Sequence, residues 1–345
     1  MIRTFMLVAL TYFSTSISAD CQEIHFSQYG ETSSFINPAF NSLFIGDWRV
    51  AAIYRNQWRA ADKPYETYMA FVDKRWEWVY DVFTLSINLS DDVSGSRNLH
   101  KAAAKFTLTY SRKFGNSSIS VGFSPSYHQF FLDRDISFPD QFDPTEFAFN
   151  SQLPGDEPLD RSSEGYFSFS TGGLWSLSTQ KLGAYGGFAI SHINTPGISF
   201  YEEDNSTFLP MKLTLHGGIA AQISESIAVH PSFILSSQNK SNNFIFGSWI
   251  EWVIKDSKSV TGFRTGLYYR NNLGGYAENG FFKHSDAMII PISVALDQFR
   301  ATLSYDINIS GFEAASNNKG GFEISLVYIV PQKKSRNFLQ PCWMF

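Results

Sequence analysis

The sequence predicts an all-β fold: a closed antiparallel transmembrane β-barrel of about 14 strands with both termini on the periplasmic side. Apolar and polar residues alternate with a period of two along most of the chain, as in Leu303–Ile309, and strand side chains have this spacing. Many of the alternating runs reach the about 9–11 residues of a transmembrane strand, whereas strands of soluble proteins average about 5–6 residues. Long connections also alternate with short ones, which is typical of outer-membrane barrels.

Residues 1–21 are predicted to be a signal peptide. Arg3 precedes an apolar run, Phe5–Phe13, and small residues follow that run, which is the order found in secretory signals. The run is shorter than the about 20 apolar residues that a membrane-spanning helix needs. The mature chain is therefore expected to be exported. Asp20 is a poor neighbour for a lipid-acceptor cysteine, and whether Cys21 survives cleavage stays open.

Residues 22–47 are predicted to form a periplasmic N-terminal segment ahead of the barrel, which spans 48–330. The segment carries Pro38, which cannot donate a hydrogen bond to a strand ladder, and this argues against a central strand. We expect the segment to lie at the periplasmic face or to fold into the barrel mouth, with Phe35–Pro38 packing inward. Residues 331–345 are expected to form a periplasmic C-terminal tail.

The alternating runs define the fourteen predicted strands. They lie near 48–58, 65–74, 79–89, 102–113, 117–127, 164–174, 182–192, 211–223, 226–236, 243–254, 259–270, 285–296, 298–309 and 320–330. The longest connection, 128–163, is expected to be extracellular, and short ones such as Phe114–Asn116 periplasmic. Aromatic residues cluster near the strand ends, as interfacial girdles do. The alternative is a secreted β-sandwich, which explains the aromatic residues but not the sorted connections.

Composition and motifs argue against several classes of function. A net charge of -5 argues against a nucleic-acid-binding surface, and two cysteines exclude a cysteine-rich metal site. The common hydrolase, zinc-protease and P-loop motifs do not occur, and the seven histidines show no ligand spacing. We therefore expect neither enzyme activity nor a cofactor. A triad assembled from different strands stays an alternative. Acidic residues of the 128–163 loop are expected to be solvated, with calcium binding as the alternative.

Four charged residues are predicted to face the lumen of the barrel. If their apolar neighbours face lipid, then Arg55, Arg270, Asp306 and Glu323 point inward. Barrel closure places the first strand beside the last, and this brings Arg55 near Asp306 and Glu323. We expect one buried ionic cluster at these positions. The plainer interpretation is a structural network that fills a narrow lumen.

Motifs along the mature chain resemble one known family. They are His25–Tyr29, Ile36–Phe40, Tyr54–Trp58, Phe138–Phe142, Ser191–His192, Gly266–Arg270, Ser304–Ile307 and Gly320–Leu326. In this order they resemble the PorP/SprF family. The motif positions are Asn37, Pro38, Arg55, Trp58, Asp306 and Glu323. The chain departs from the family pattern at Asn41–Phe44 and at Pro341–Phe345.

The resemblance implies an outer-membrane barrel of the type IX secretion system. Such a protein is expected to support gliding motility and the export or surface attachment of large adhesins through protein–protein contacts. Expected partners are periplasmic and outer-membrane secretion or motor subunits, the C-terminal domain of the exported adhesin, and outer-membrane lipid, but no nucleic acid. The family has no established catalytic residues. The alternatives are a diffusion or uptake porin and a barrel-embedded lipid hydrolase, and whether the lumen is plugged stays open.

The C-terminal tail is the predicted docking surface for periplasmic partners. It combines basic and aromatic side chains, a composition that suits contact with a protein surface. The residues are Lys333, Lys334, Arg336, Phe338 and Phe345. Segment 22–47 is expected to share this role, while the 128–163 loop faces the adhesin. A solvated tail is the alternative.

Overall fold

The computed structural model describes residues 24–57, 64–94, 99–131, 142–143, 148–149, 163–199, 207–239, 241–254, 260–272, 285–310 and 319–332. Within these ranges, fourteen antiparallel strands close into one barrel. This confirms the closed antiparallel barrel and the strand number predicted from the alternation. No helix in the described ranges is long and apolar enough to cross a membrane.

The first and last long strands pair with each other and close the barrel. The strands are β1 (Trp48–Gln57), β2 (Tyr65–Glu77), β3 (Asp81–Ser94), β4 (Leu99–Phe114), β5 (Ser117–Phe131), β6 (Phe142–Asp143), β7 (Ala148–Phe149), β8 (Ser163–Ser178), β9 (Leu182–Ser191), β10 (Lys212–Gln222), β11 (Ile227–Gln238), β12 (Ser241–Val253), β13 (Gly262–Asn272), β14 (Ser285–Leu296), β15 (Phe299–Asn308) and β16 (Lys319–Val330). The two-residue strands β6 and β7 pair only with each other, and the other fourteen follow chain order around the barrel.

Several strands are longer than the apolar alternation predicts. β5 continues to Phe131, so residues 128–131 belong to a strand and not to the predicted 128–163 loop. β3 and β4 also extend towards each other, and only residues 95–98 separate them. In these extensions the backbone ladder continues past the apolar side chains, as in the pair Asp91–Ala102. Because ladder hydrogen bonds join main-chain groups, the pairing does not stop where the side chains become polar.

The two faces of the barrel wall differ sharply in polarity. On β15, Leu303 and Tyr305 face outward and are exposed, while Ser304 and Asp306 face inward and are buried. Large apolar side chains remain uncovered in this way around the outer face. An uncovered apolar band on a closed barrel suits contact with lipid hydrocarbon.

Residues 24–47 lie inside the barrel and are called the plug below. The plug contains helix α1 (Ser33–Ile36) and a 3-10 helix, η1 (Pro38–Ser42), which packs against the inner faces of β3, β4, β5 and β8. At its end, the N–H of Asp47 donates to the carbonyl of Val330 at 2.8 Å, next to the start of β1. This end of the barrel, where β1 begins and β16 ends, is called the lower end.

Candidate functional site

The ionic cluster lies in the upper part of the lumen, on the seam between β1 and β16. Arg55 and Glu323 are register partners across this seam, and their side chains form a salt bridge. Asp306 Oδ2 lies 3.4 Å from Arg55 Nη2 and 3.0 Å from Arg270 Nη1. All four side chains are at most 2% exposed. The structure thus brings the four sequence-predicted residues together.

The cluster holds the plug by its backbone and by one hydroxyl group. The N–H groups of Ser27 and Gln28 donate to the two carboxylate oxygens of Glu323, at 2.6 and 2.8 Å. Ser27 Oγ donates to Asp306 Oδ2 at 2.6 Å and accepts hydrogen bonds from both arginines, at 2.8 and 3.0 Å. Charge-assisted hydrogen bonds of this kind are stronger than neutral ones. The network therefore does more than fill the lumen, since it binds the start of the plug.

The Gln28 side chain extends this anchor along the seam. Its Nε2 donates to Ser304 Oγ at 3.1 Å and to the carbonyl of Glu323 at 3.0 Å. Its Oε1 accepts from Ser325 Oγ at 2.6 Å. Both ends of the amide are thus satisfied by β15 and β16. Sequence reasoning identified the motif that contains Ser27 and Gln28 but did not assign these residues a role.

A second anchor begins at the Asn37–Pro38 pair. Asn37 is the N-cap of η1, its Oδ1 accepts from the N–H two residues on at 2.8 Å, and proline occupies the first helical position. Asn37 Nδ2 donates to the carbonyls of Gly173 and Phe188, both at 3.1 Å. It also lies 2.8 Å from His216 Nε2, so the two hydrogens of the amide are shared among three acceptors.

Glycines in the wall let the second anchor approach closely. A Cβ atom on Gly122 would lie 2.3 Å from the carbonyl carbon of Pro38, and one on Gly172 would lie 2.1 Å from Asn37 Oδ1. Thr109 Oγ1 donates to the carbonyl of Pro38 at 2.6 Å. The wall and the plug therefore fit by shape as well as by hydrogen bonding.

Arg49 contacts the plug near the lower end of the barrel. Its Nε lies 2.6 Å from Asp73 Oδ2, and its guanidinium lies over the ring of Phe44, 4.8 Å from the ring centroid. A cation over an aromatic face is attracted by the ring quadrupole. Arg49 Nη2 also donates to Ser33 Oγ at 3.4 Å. The plug is thus held at three levels of the lumen.

Two buried pairs in the wall join a serine to a histidine. Ser126 Oγ lies 2.9 Å from His128 Nε2, and Ser168 Oγ lies 2.7 Å from His192 Nδ1. These pairs do not by themselves make a hydrolase, because a triad also needs an acid that orients the histidine. Within the described ranges, no group of three His, Cys, Asp or Glu side chains is placed to hold a metal ion.

Some predicted residues lie outside the described ranges. They are Trp58, Lys333, Lys334, Arg336, Phe338 and Phe345, together with residues 1–21 and most of the 128–163 loop. The plug itself differs from the expectation that segment 22–47 docks onto periplasmic subunits. Its motif residues Ser27, Gln28 and Asn37 are buried against the barrel wall, so a partner outside the barrel does not reach them.

A family model described as "Type IX secretion system membrane protein PorP/SprF" matches residues 18–328. The chain belongs to this family. The match covers the plug and nearly the whole barrel. This PorP/SprF protein is therefore an outer-membrane barrel and a membrane component of the type IX secretion system.

Solved structures with a similar fold are also outer-membrane barrels. The PorP/SprF chain resembles the CymD monoaromatic hydrocarbon channel with a TM-score of 0.50 and 11% identity, over 90% of this chain and 95% of that one. A Pseudomonas aeruginosa FadL homologue gives 0.48 and 10%, over 86% and 94% of the two chains. At these identities the likeness concerns the fold alone. No curated protein matches the chain.

Proposed function

We propose that this protein is a non-catalytic component of the type IX machinery that supports export or surface attachment of large adhesins, and gliding motility, through protein–protein contacts. It does so without passing the adhesin through its own barrel. The observation that carries this proposal is the plug, which occupies the lumen and is anchored on opposite walls. An exported polypeptide would have to displace it.

Displacing the plug is energetically costly. Ser27 completes the hydrogen bonding of Asp306 and of two arginines, and a hydrogen bond to a charged group contributes roughly 1.5–3 kcal/mol. The second anchor adds the hydrogen bonds of Asn37. Contact surfaces outside the barrel avoid this cost, and this favours a partner-binding role over a conduit for protein.

We place the docking surface for periplasmic partners on the C-terminal tail, 331–345. The chain leaves the lower end beside a rim of charged side chains, where Gln332 Nε2 donates to Glu77 Oε2 at 2.9 Å. Glu77 also pairs with Lys113. Trp78 and Tyr80 are exposed on the same rim. The basic and aromatic residues that follow Gln332 in the sequence have a composition that suits a protein interface.

Truncation after Gln332 tests the tail. This cut keeps the bond to Glu77, so the barrel is expected to remain folded and inserted while periplasmic subunits no longer co-purify from native membranes. A full-length variant with Lys333, Lys334 and Arg336 replaced by serine is the matched control. It removes the basic charges but keeps the length of the tail, so it shows which of the two the partners need. Full secretion and unchanged partners in both variants would place the docking surface elsewhere.

A covalent lock on the plug tests the route of the adhesin. Ser42 Oγ and Ser120 Oγ lie 2.8 Å apart, so the pair Ser42→Cys and Ser120→Cys suits a disulfide between plug and wall. With Cys21 and Cys342 replaced by serine, the locked protein is expected to support secretion as the two single-cysteine variants do. Secretion that stops in the locked form and returns with a reductant would show that the lumen carries the adhesin.

A further inference from the structure

We propose that the plugged lumen is also a gated path for water and small polar solutes, with the Tyr29 side chain as its gate. Two cavities of about 90 and 80 Å³ lie between the plug and the wall in the part of the barrel that the structure describes. A water molecule needs about 10–15 Å³ of such free volume, so each cavity has room for several water molecules. Among the described residues, Tyr29 is the one that lines both cavities.

The two cavities lie at different levels of the barrel. On β11, Ser236 and Gln238 line the upper cavity, while His230 lines the lower one, nearer the start of the strand. On β12, Asn243 lines the upper cavity and Trp249 the lower one. Both strands therefore place the cavities one above the other along the barrel, with the level of Tyr29 between them.

Both cavities have polar side chains among a mostly apolar lining. The upper one is lined in part by Lys212, Thr214 and Asn243. The lower one is lined by Arg264 and Arg300, together with aromatic side chains. Buried water is stable where several polar groups surround it. These polar groups allow water to enter each cavity.

An apolar layer lies between the two cavities. Tyr29 packs with Ile234, Ile245, Tyr268 and Ile289 in one buried cluster. The rings of Tyr29 and Tyr268 meet edge to face, with centroids 5.4 Å apart. A hydrophobic constriction between wet compartments blocks ions and solutes by excluding water. This layer is the closed gate.

Tyr29 can move without release of the plug. The neighbouring anchor binds the backbone of Ser27 and Gln28, whereas the Tyr29 hydroxyl lies 2.5 Å from Ser232 Oγ, which also pairs with the hydroxyl of Tyr268. The next residue, Gly30, is exposed and has open space around the position of a Cβ atom. Rotation of the Tyr29 ring into either cavity therefore leaves the ionic anchor in place. The gate opens locally, which distinguishes this path from a conduit for protein.

Conductance of the purified full-length protein in planar bilayers tests the gate. Tyr29→Ala removes the ring and is expected to give steady ion conductance where the wild type is closed. Tyr29→Phe keeps the ring and is expected to stay closed. Phe44→Ala is the control for loosening of the plug, because Phe44 is a buried aromatic residue of the plug that contacts Arg49 and lines neither cavity.

A wall-side variant keeps the test independent of plug folding. Tyr268→Ala enlarges the same constriction from β13 and is expected to conduct as well, so it decides the matter if Tyr29→Ala does not insert as a heat-modifiable barrel. If the inserted Tyr29→Ala and Tyr268→Ala proteins show no ion conductance, the proposal is overturned. Conductance of Phe44→Ala equal to that of Tyr29→Ala would overturn it too, because general loosening of the plug would then explain the effect.

Discussion

The two anchors of the plug hold it by different chemistry. At Ser27 and Gln28 the plug is bound by ionised side chains on the side of the barrel where β16 meets β1. At Asn37–Pro38 it is bound by neutral groups and by glycines whose missing side chains leave room for its backbone. The first anchor depends on charged side chains, so its strength is expected to depend on pH. The second depends on shape and on hydrogen bonds between neutral groups.

The largest effect is expected at the charged anchor. Arg55→Ala leaves Glu323 and Asp306 with one arginine fewer, and such a loss in a buried network costs roughly 3–5 kcal/mol. The barrel is expected to lose heat resistance on gels, and the plug to become accessible to protease. Arg55→Lys should be milder because it keeps the charge.

Arg112 provides the matched control for Arg55. Its guanidinium is half exposed and pairs with Asp81 at 3.4 Å, and solvent-exposed pairs of this kind contribute little to stability. Arg112→Ala should therefore leave heat resistance unchanged. If Arg55→Ala behaves like Arg112→Ala, the ionic cluster does not hold the plug.

A methyl group in the wall should disturb the neutral anchor by shape alone. Gly122→Ala places a Cβ atom 2.3 Å from Pro38, and overpacking of this kind costs roughly 1–3 kcal/mol. Gly186→Ala is the control, because nothing lies within 4 Å of its Cβ position. Urea unfolding in detergent should distinguish the two variants, and equal stability would show that the close approach is not needed.

Hydrogen bonding at the neutral anchor is tested by two asparagines of the plug. Asn37→Ala leaves the capped N–H and His216 Nε2 without their partner, and this costs about 1–3 kcal/mol. Asn41 is equally buried, but its amide makes no hydrogen bond to the described residues. Asn41→Ala should therefore destabilise the protein less in the same unfolding measurement. The reverse order would mean that volume, not hydrogen bonding, sets the effect.

The smallest effect is a pH dependence confined to the charged anchor. Burial, and then the neighbouring Arg270 and Arg55, hold the pKa of His25 well below its ordinary value of 6.5. Since the pKa is lowered in the plugged form, the plug is held fully above pH 6.5 and progressively less as the pH falls below it, by at most about 1.4 kcal/mol per pH unit. Protease accessibility of the plug should rise on acidification, and His25→Gln should reduce that rise.

The sequence predicted the wall better than the plug. Period-two alternation places each strand residue on one face, so the inward position of Arg55 and Asp306 followed from their neighbours. The sequence predicted only the side chains of the charged anchor. It did not predict that Glu323 binds the N–H groups of Ser27 and Gln28, because every residue but proline has such a group. The neutral anchor depends on Gly122 and Gly172, far from Asn37 in the chain. A glycine at an inward strand position is the signal that reveals such a close approach.

The bond between Ser27 and Glu323 has a consequence for assembly. It joins positions 296 residues apart, and Glu323 lies on the strand that closes the barrel. Contacts of such long range form late, because the loop between them must be closed first. The seat for the start of the plug is therefore completed together with the β1–β16 seam. A chain interrupted before β16 lacks the final wall strand and, with it, Glu323. A plug that is bound at Ser27 therefore indicates that the barrel is fully assembled.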